Sequence, residues 1–574
     1  MASGYDLRVW RVNVGTQTLT REPVPEPWLS LGGRGLVARI LLDETDPSCE
    51  PLGPRSKLVW GPGLLVGHML SASDRLSVGG KSPLTGGFRE SNCGGSTGMR
   101  LTTMGVKALI VEGVPAEPGY WVLHLSLDGA RWFKADDLAG RGVHEVAATL
   151  LERHGKKVAI AMIGTGGEQR LATAGIQNLD KERVPARINA RGGLGAVMGS
   201  KGLKAIVFDD AGGQKPPIVD PEAFKRAQRA YTQSVLAHPQ SHTYRDYGTA
   251  ANVLMCDALG ALPTRNFSSG SWERAEAVSG EHMRELLLAR KGDSDTSHAC
   301  MAGCTIRCSN IFAGEDGRAI VSPLEYETIG LLGPNLEIAS LDDIARLNWE
   351  INDMGLDTIE VGAAIGVACE AGLMTWGDVG RAMELLGEIR KGTPLGRILG
   401  AGSVIAGKVF GVERVPASKG MAMSAYDPRA IKGTGVTFAT STQGGDHTSG
   451  LTLRAKIDHL DPKGQVEVSR AAQINIAGYD SLGVCIMAGF GYGSAPGVVR
   501  DLLNSRYGWS LGDDALQVIG KETIRLEREY NRLAGFTKAH DRLPEWFTRE
   551  SLPPKNTVFD VPPEEMDTIF ADLD

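Results

Sequence analysis

Asp209-Asp210-Ala211-Gly212-Gly213-Gln214-Lys215-Pro216-Pro217 divides the chain into two parts with different sequence periods. Its acids, glycines and prolines are turn formers without apolar periodicity, so the stretch reads as a linker. On the N-terminal side, residues 5–210 read mostly as strands and turns. Leu7-Arg8-Val9-Trp10-Arg11-Val12-Asn13-Val14 alternates with period two, and short β-rich runs recur at 107–112, 121–125 and 157–162. Residues 61–98 are so dense in glycine and proline that no continuous regular element is expected there. On the C-terminal side, Asp220-Pro221-Glu222 places a capping residue, a proline at the first helical position and an acid in the first turn. Apolar residues at three-to-four spacing then predict helices over 221–236, 341–354, 357–372 and 514–533. A second glycine- and proline-rich patch, 393–420, divides the helical half again. The expected fold is α+β. A β-rich base domain (1–210) precedes two mainly helical domains, 211–410 and 411–574.

Composition narrows the class. At roughly 150 residues per domain, 574 residues suggest three or four domains. Glycine contributes 74 of them, 74/574 or about 13 %, against a usual ~7 %. The glycines have no period of three, which excludes collagen, and 42 % hydrophobic residues with a net charge of 61 − 68 = −7 argue against disorder. The acidic balance and the lack of a basic stripe argue against nucleic-acid binding. No apolar run approaches the ~18–20 residues of a membrane span. The start of the chain carries neither a basic leader with an apolar core nor a twin-arginine signal, so a cytoplasmic location is expected. Eight cysteines are too few for a disulfide scaffold, and clustered thiols in a reducing compartment more often bind metal.

Three of those eight cysteines fall within nine residues, in His298-Ala299-Cys300-Met301-Ala302-Gly303-Cys304-Thr305-Ile306-Arg307-Cys308. Three buried thiols are the plain alternative. A zinc site would need a fourth ligand and usually paired knuckles. Four thiolates suit an iron–sulfur cluster better, with the fourth supplied from a distance. Cys485, in Asp480-Ser481-Leu482-Gly483-Val484-Cys485, is the best candidate.

Two glycine-rich loops carry a second signal. Arg191-Gly192-Gly193-Leu194-Gly195-Ala196-Val197-Met198-Gly199-Ser200-Lys201 is either a plain turn or a phosphate cradle. Its spacing fits neither a Walker loop nor a dinucleotide-binding fingerprint. Residues 75–95 form a similar loop, and two such loops suggest a ligand with more than one phosphate.

Together these pieces resemble the tungsten-dependent aldehyde:ferredoxin oxidoreductase family along essentially the whole chain. The matching motifs run in the family's order. They begin with Leu31-Gly32-Gly33-Arg34-Gly35-Leu36, Lys81-Ser82-Pro83-Leu84-Thr85-Gly86 and the 191–199 loop. The cysteine cluster, Leu324-Glu325-Tyr326-Glu327-Thr328, Gly355-Leu356-Asp357-Thr358 and residues 480–485 follow. The resemblance implies tungsten or molybdenum held by two pyranopterins beside a [4Fe–4S] cluster, with magnesium bridging the pterin phosphates. Carried over, Cys300, Cys304, Cys308 and Cys485 would hold the cluster, the last from the third domain. Arg75 and Asn92 would contact pterin and its phosphates, with Arg191, Gly192 and Gly193 in the same region. Asn352, Asp357 and Asp480 would accept hydrogen bonds from the pterin ring, a chemistry that suits a carboxylate. Glu327 and His447 would handle protons.

The chain departs from the family at three places. Three residues rather than two separate Cys300 from Cys304, and Asn352 stands where the family often has aspartate. Arg346 and Trp349 replace the pair that binds an interfacial metal in some members, so that site is expected to be missing. The implied activity is interconversion of an aldehyde and a carboxylic acid, with electrons passing to ferredoxin or an iron–sulfur partner subunit; a homodimer is compatible with it. Two alternatives stand beside it: the catalytic subunit of a benzoyl-CoA-reductase-like complex, and a non-catalytic iron–sulfur electron-transfer protein.

Overall fold

Successive residues of a strand point to opposite faces of its sheet, and in the base domain both faces are covered. In β1 (Arg8–Asn13), Val9 faces one side and Trp10 the other, and both are buried. The computed structural model describes residues 5–573; residues 1–4, part of the leader reading, and residue 574 lie outside them. β1 joins β2 (Thr18–Pro23), β3 (Leu58–Pro62), β4 (Leu76–Lys81), β5 (Phe88–Cys93) and β6 (Val106–Glu112) in a sheet of order β2-β1-β6-β3-β4-β5. A second sheet, β11-β10-β9-β12-β7-β8, comprises β7 (Trp121–Ser126), β8 (Gly129–Lys134), β9 (Ala159–Met162), β10 (Ile176–Leu179), β11 (Pro185–Asn189) and β12 (Leu203–Asp209). Each sheet is antiparallel except for one pair, β1–β6 and β7–β12.

Trp10, Trp60 and Leu109 of the first sheet meet Leu123, Ile206 and Phe208 of the second across a shared core. Val9, Val59 and Ile110 lie beneath α1 (Gly33–Glu44), and Val122, Ile160 and Val207 beneath α2 (Val143–His154). Strands covered on both faces read as continuous apolar runs, as Ala108-Leu109-Ile110-Val111 does.

The reading of 61–98 is corrected here. This stretch holds the end of β3 and all of β4 and β5, the last two joined by a turn closed by Ser82 N–H to Gly87 C=O at 2.9 Å. Glycine is in β4 because α1 lies against it: a Cβ at Gly79 would sit 2.4 Å from Val37 Cγ1 and 2.7 Å from the Arg89 carbonyl. The composition that hides the strand is the one that lets the helix approach.

After α3 (Leu194–Ser200) and β12, the chain crosses the linker into α4 (Pro221–Ala237). As expected, Pro221 opens this helix and Asp220 accepts from Ala223 N–H at 2.9 Å. A three-stranded sheet, β13 (Asp295–His298), β14 (Ser309–Ala313) and β15 (Ala319–Val321), frames the cysteine loop. The helical part is built on α5 (Tyr326–Leu332), α6 (Leu341–Asp353), α7 (Thr358–Glu370), α8 (Lys432–Thr440), α9 (Gln465–Leu482) and α10 (Ala515–Leu533). Three of the four helices expected from periodicity in this half are therefore α6, α7 and α10, and the fourth is α4. Residues 393–420 contain two short helices, Pro394–Gly400 and Ser403–Phe410, and one apolar core runs through them from Ile344 and Ile365 to Phe438 and Phe547.

The C-terminal helices return to the base. Arg34 of α1 donates to both oxygens of Glu527 on α10, at 2.6 and 2.9 Å, and to Asp480 on α9 at 3.2 Å. Among the described residues no single helix is long and apolar enough to cross a membrane. One helix pair bent by 106°, Gln465–Leu482 with Ile486–Ser494, passes by length and composition, and its α9 half packs between α1 and α10.

Candidate active site and metal centre

β5 and β11 are the edge strands of their sheets, and their backbones meet. Asn189 joins them: its amide donates to Ser91 C=O at 2.6 Å and Leu76 C=O at 3.2 Å, while its Oδ1 accepts from Asn178 at 2.9 Å. An edge strand presents unpaired backbone groups, and a cavity of about 540 Å³ opens along this seam. Register places the sheet-side residues. Ser77 pairs with Asn92 and Leu76 with Cys93, so Arg75, one residue before β4, reaches Asn92. Its Nε donates to Asn92 Oδ1 and its Nη2 to Asn92 C=O at 2.9 Å.

Arg191 follows β11 and is buried. It donates to Asp357 Oδ2 at 3.1 Å, to Ala422 C=O at 2.6 Å and to Gly445 C=O at 3.1 Å. Asp357 Oδ1 also caps α7, accepting from Ile359 N–H at 3.0 Å. Both expected cofactor contacts thus line the cavity while also tying the base to the helical half. Asn352 lines it too, donating back one helical turn to Asn348 at 2.9 Å. Gly192 and Gly193 do not lie on its wall: both have positive φ (86° and 78°), and a Cβ on them would meet the Arg89 side chain at 2.4 Å and Pro83 at 2.5 Å.

The cysteine loop closes one end. Cys300, Cys308 and Cys485 line the cavity; Cys304 lies just behind, close enough to act electrostatically on Cys300 and Cys485. Thr305 N–H donates to Ser71 Oγ at 3.1 Å, and Cys485 N–H to Ala72 C=O at 2.7 Å, so one base loop holds both cysteine segments. Gly303 needs its φ of +78°, and a Cβ there would lie 2.9 Å from the Met69 carbonyl. Among the described residues no three of these sulfurs come within 4.8 Å of one another. A tetrahedral ion with Zn–S of about 2.3 Å needs sulfurs about 3.8 Å apart, so the spacing suits a cluster better than one ion. Burial pushes the Cys300 thiol up to about 12 and raises those of Cys308 and Cys485. Bare thiolates are disfavoured in such a place, and coordination to a metal deprotonates a thiol outright. The donor set therefore fits an iron–sulfur cluster.

Glu327 and His447 come together from opposite directions. Glu327 sits in the first turn of α5, where an acid is favoured. Tyr326 Oη donates to Ala425 C=O at 2.5 Å and Ala425 N–H returns a bond to Glu327 Oε2 at 2.8 Å, clamping the helix start to residue 425. Ser424 Oγ meets His447 Nδ1 at 2.8 Å, and His447 Nε2 lies 3.3 Å from Glu327 Oε1, which is buried without a hydrogen-bond partner. Burial lowers the His447 pKa, but Glu327 and Asp446 outweigh it and the net shift is upward. Asp446, fully buried, is also disfavoured as an anion by burial; Arg89 at 2.5 Å and Arg191 at 3.5 Å outweigh this and hold it well below the usual carboxylate range.

Several contributors were not visible as such in the sequence. Glu90, two residues before Asn92, lines the cavity with Oε1 unpartnered. Burial, then Asp480, raises its pKa to about 8, and burial raises that of Asp480 to about 6 against Arg34. Arg34 and Arg89 lie inside stretches already singled out and Asp446 adjoins His447, so proximity was the available signal. Arg187, Tyr244 and Arg454 carried none. Arg75 and Arg187 have no carboxylate partner among the described residues, and they face the same cavity as the orphaned Glu90 and Glu327 oxygens. Unpaired cations beside acceptor-only acids suit a ligand with anionic groups and N–H edges. Of the residues replacing an interfacial metal pair, Arg346 binds Asp343 at 3.0 Å and Trp349 stacks on His144 at 5.2 Å.

Comparison with known proteins gives a consistent result. Residues 9–210 match the model of the aldehyde ferredoxin oxidoreductase N-terminal domain, and residues 226–570 that of domains 2 and 3. The chain is 33 % identical to the tungsten-containing aldehyde ferredoxin oxidoreductase of Thermococcus kodakarensis, covering 95 % of this chain and 92 % of that one. Its identity to the Pyrococcus furiosus protein of the same name is 32 %, over the same shares. The WOR-like subunit of an aliphatic sulfonate oxidoreductase of Pyrococcus furiosus is 28 % identical, over 76 % of this chain and 75 % of that one. Among solved structures, the active site complex BamBC of benzoyl coenzyme A reductase with 1,5-dienoyl-CoA shares the fold, with a TM-score of 0.79 and 19 % identity over 99 % of this chain and 94 % of that one.

Proposed function

The chain belongs to the aldehyde ferredoxin oxidoreductase family of tungsten oxidoreductases, and from that premise we propose that it oxidises aldehydes to carboxylic acids, or runs the reverse reaction, and exchanges electrons with ferredoxin or an iron–sulfur partner subunit. The observation that carries this reading is the meeting of Glu327 Oε1 and His447 Nε2 at 3.3 Å, in the cavity that Cys300, Cys308, Cys485, Arg75 and Asp480 also line. When bound, the tungsten or molybdenum bis-pyranopterin supplies the two-electron redox centre and the [4Fe–4S] cluster the one-electron exit.

The remaining roles belong to the chain. Cys300, Cys304, Cys308 and Cys485 hold the cluster. Arg75 and Asn92 bind the pterin phosphates with their magnesium, and Arg187 adds a second unpaired cation at that wall. Asp480 and Asp357 accept from pterin N–H groups; a carboxylate has about four lone-pair sites, so Asp357 keeps capacity beyond Arg191 and the α7 N-terminus. Oxidation of an aldehyde by water releases two protons along with two electrons. Glu327 Oε1 takes one from the reacting oxygen, and His447, its charged form favoured by Glu327 and Asp446, receives it at Nε2. Arg191 positions the pair by binding Gly445 and Asp357 at once.

The test is elemental analysis of purified protein followed by an aldehyde panel with a viologen acceptor. Tungsten or molybdenum with about four irons per chain and viologen reduction by aldehydes are expected. Iron without either metal would leave an electron-transfer protein, and metal-loaded protein inert to every aldehyde but active on a thioester would point to the reductase alternative.

A further inference from the structure

Six arginines line the cavity, and their partners separate them. Arg34 is neutralised by Asp480 and Glu527, Arg89 by Asp446, and Arg191 by Asp357. Arg75 and Arg187 have no carboxylate, but they sit beside the cysteines and bear on the Cys300 thiol. Arg454 is different. It stands at the exposed end of the cavity with no carboxylate in ion-pair reach among the described residues.

Its orientation is fixed by neutral groups. Nε donates to Tyr244 Oη at 3.1 Å and Nη2 to Asn252 Oδ1 at 3.0 Å, while the guanidinium carbon lies 5.1 Å from the Tyr244 ring centre. Tyr244 Oη itself meets Asn252 Oδ1 at 3.2 Å, and the Tyr244 ring stacks on Phe490 at 5.8 Å. A guanidinium has five N–H donors in a planar fork; two are engaged here and Nη1 has no partner among the described residues. Leu451, Leu453 and Phe490 give the same wall an apolar surface. From Arg454 the side chains lead inward: Tyr426, which senses Tyr244 electrostatically, lies 5.8 Å from the His447 ring. His447 and Arg454 are carried by one segment, seven residues apart in sequence.

We propose that Arg454, oriented by Tyr244 and Asn252, is a specificity determinant that selects aldehydes carrying an oxyanion (carboxylate, sulfonate or phosphate) remote from the reacting carbon. The inference rests on the aldehyde reading given above. An oriented guanidinium binds a planar or tetrahedral oxyanion through two parallel N–H bonds, and the apolar wall takes the carbon spacer. A tail held there leaves the other end of a short substrate facing Glu327 and His447.

The test compares kcat/KM of the metal-loaded enzyme for succinic semialdehyde and 4-carboxybenzaldehyde with that for butanal and benzaldehyde. Wild type is expected to favour the anionic member of each pair by about tenfold, through KM, with the preference falling as salt rises, since this pair is solvent-exposed. Arg454→Gln is expected to bring the ratio close to one, and Arg454→Lys to restore part of it. Arg454→Glu is expected to invert it, favouring an aminoaldehyde, a gain that misfolding cannot produce. A preference that is the same in wild type and Arg454→Gln overturns the proposal, as does a wild-type ratio near one. If no aldehyde of either kind is oxidised, the aldehyde reading fails instead. Calorimetric titration of succinate into the holoenzyme then decides the site alone: binding at least tenfold weaker in Arg454→Gln supports it, and equal or no binding overturns it.

Discussion

The cavity has two unlike walls. One is the seam of two sheets, where Asn92 and Arg187 lie on edge strands and Arg75 immediately precedes the neighbouring β4. The other is assembled from a helix start and from the segment around residues 424–454, where hydrogen bonds aim Glu327, His447 and Arg454. On the sheet wall, Arg75 and Arg187 face the cavity without an ion pair, beside the unpartnered Glu90 oxygen; on the other, the charged groups are mostly coupled to one another. A rigid wall with uncompensated positive charge suits a large resident anion. A wall of mutually tuned acids and bases suits proton movement, and loop-borne residues can change without disturbing the scaffold.

The largest effect that would sharpen this contrast belongs to the helix-and-loop wall. Glu327→Gln is expected to lower kcat by about 10²–10⁴-fold, the usual worth of a positioned proton carrier, with metal and iron content unchanged. An unaltered kcat would remove proton handling from that wall. Next, breaking the tie between the walls should affect stability: Arg34→Met leaves Glu527 buried and uncompensated, which costs about 3–5 kcal/mol for such pairs. It should appear as a markedly lower midpoint in thermal unfolding and loss of bound metal, and a midpoint near wild type would show that the halves do not depend on this pair.

The base, away from the cavity, and the helix-and-loop wall also differ in the sign of their pH dependence. Lys107, in β6, donates to the carbonyls of Leu29 at 3.0 Å and Leu31 at 2.5 Å, and burial lowers its pKa to about 7. With a folded value below the unfolded ~10.4, the unfolded chain holds the extra proton, so this group makes stability rise from about pH 7 towards pH 10. His447 is shifted the other way. Its contribution is full below its unfolded pKa and is lost as pH rises through the folded value. Lys107→Met should flatten the alkaline rise in urea-unfolding midpoint, and His447→Gln should destabilise more at pH 6 than at pH 9; a change of the same sign for both would erase the distinction. The smallest effect is Asp220→Ala, which removes the cap of α4 outside both walls and should cost ~1 kcal/mol without altering kcat.

Much of this was legible in the chain and some was not, for definable reasons. The linker, the capped start of α4 and the long amphipathic helices follow from local rules and stand where periodicity put them. Glu327 and His447 were named from motif resemblance, and the fold brings them to 3.3 Å. β4 was hidden because Gly79 serves the approach of α1 and Gly80 clears the Lys57 carbonyl, contacts with no local signature. The Arg34–Glu527 pair joins residues 493 positions apart, and Glu90 is a functional candidate only because burial leaves an oxygen unpartnered. Whether an arginine is neutralised is a property of the assembled site, which is why Arg454 had no signal in sequence.

The return of the C-terminal helices to the base has a consequence for how the protein is made. Asn531 Oδ1 accepts from Phe88 N–H at 2.7 Å, Glu527 holds Arg34, and Gly483 lies so close to Gly63 that a Cβ on Gly63 would be 2.0 Å from Gly483 N. The base can be synthesised and pleated early, but its cavity lacks a wall until residues 326–490 have emerged, and that wall is tied to the base only when α10 follows. Loading of any cofactor into that cavity is therefore a late step of synthesis, and a chain cut before α10 would keep the cavity's lining residues but lose the Glu527 and Asn531 ties that hold the helical half to the base.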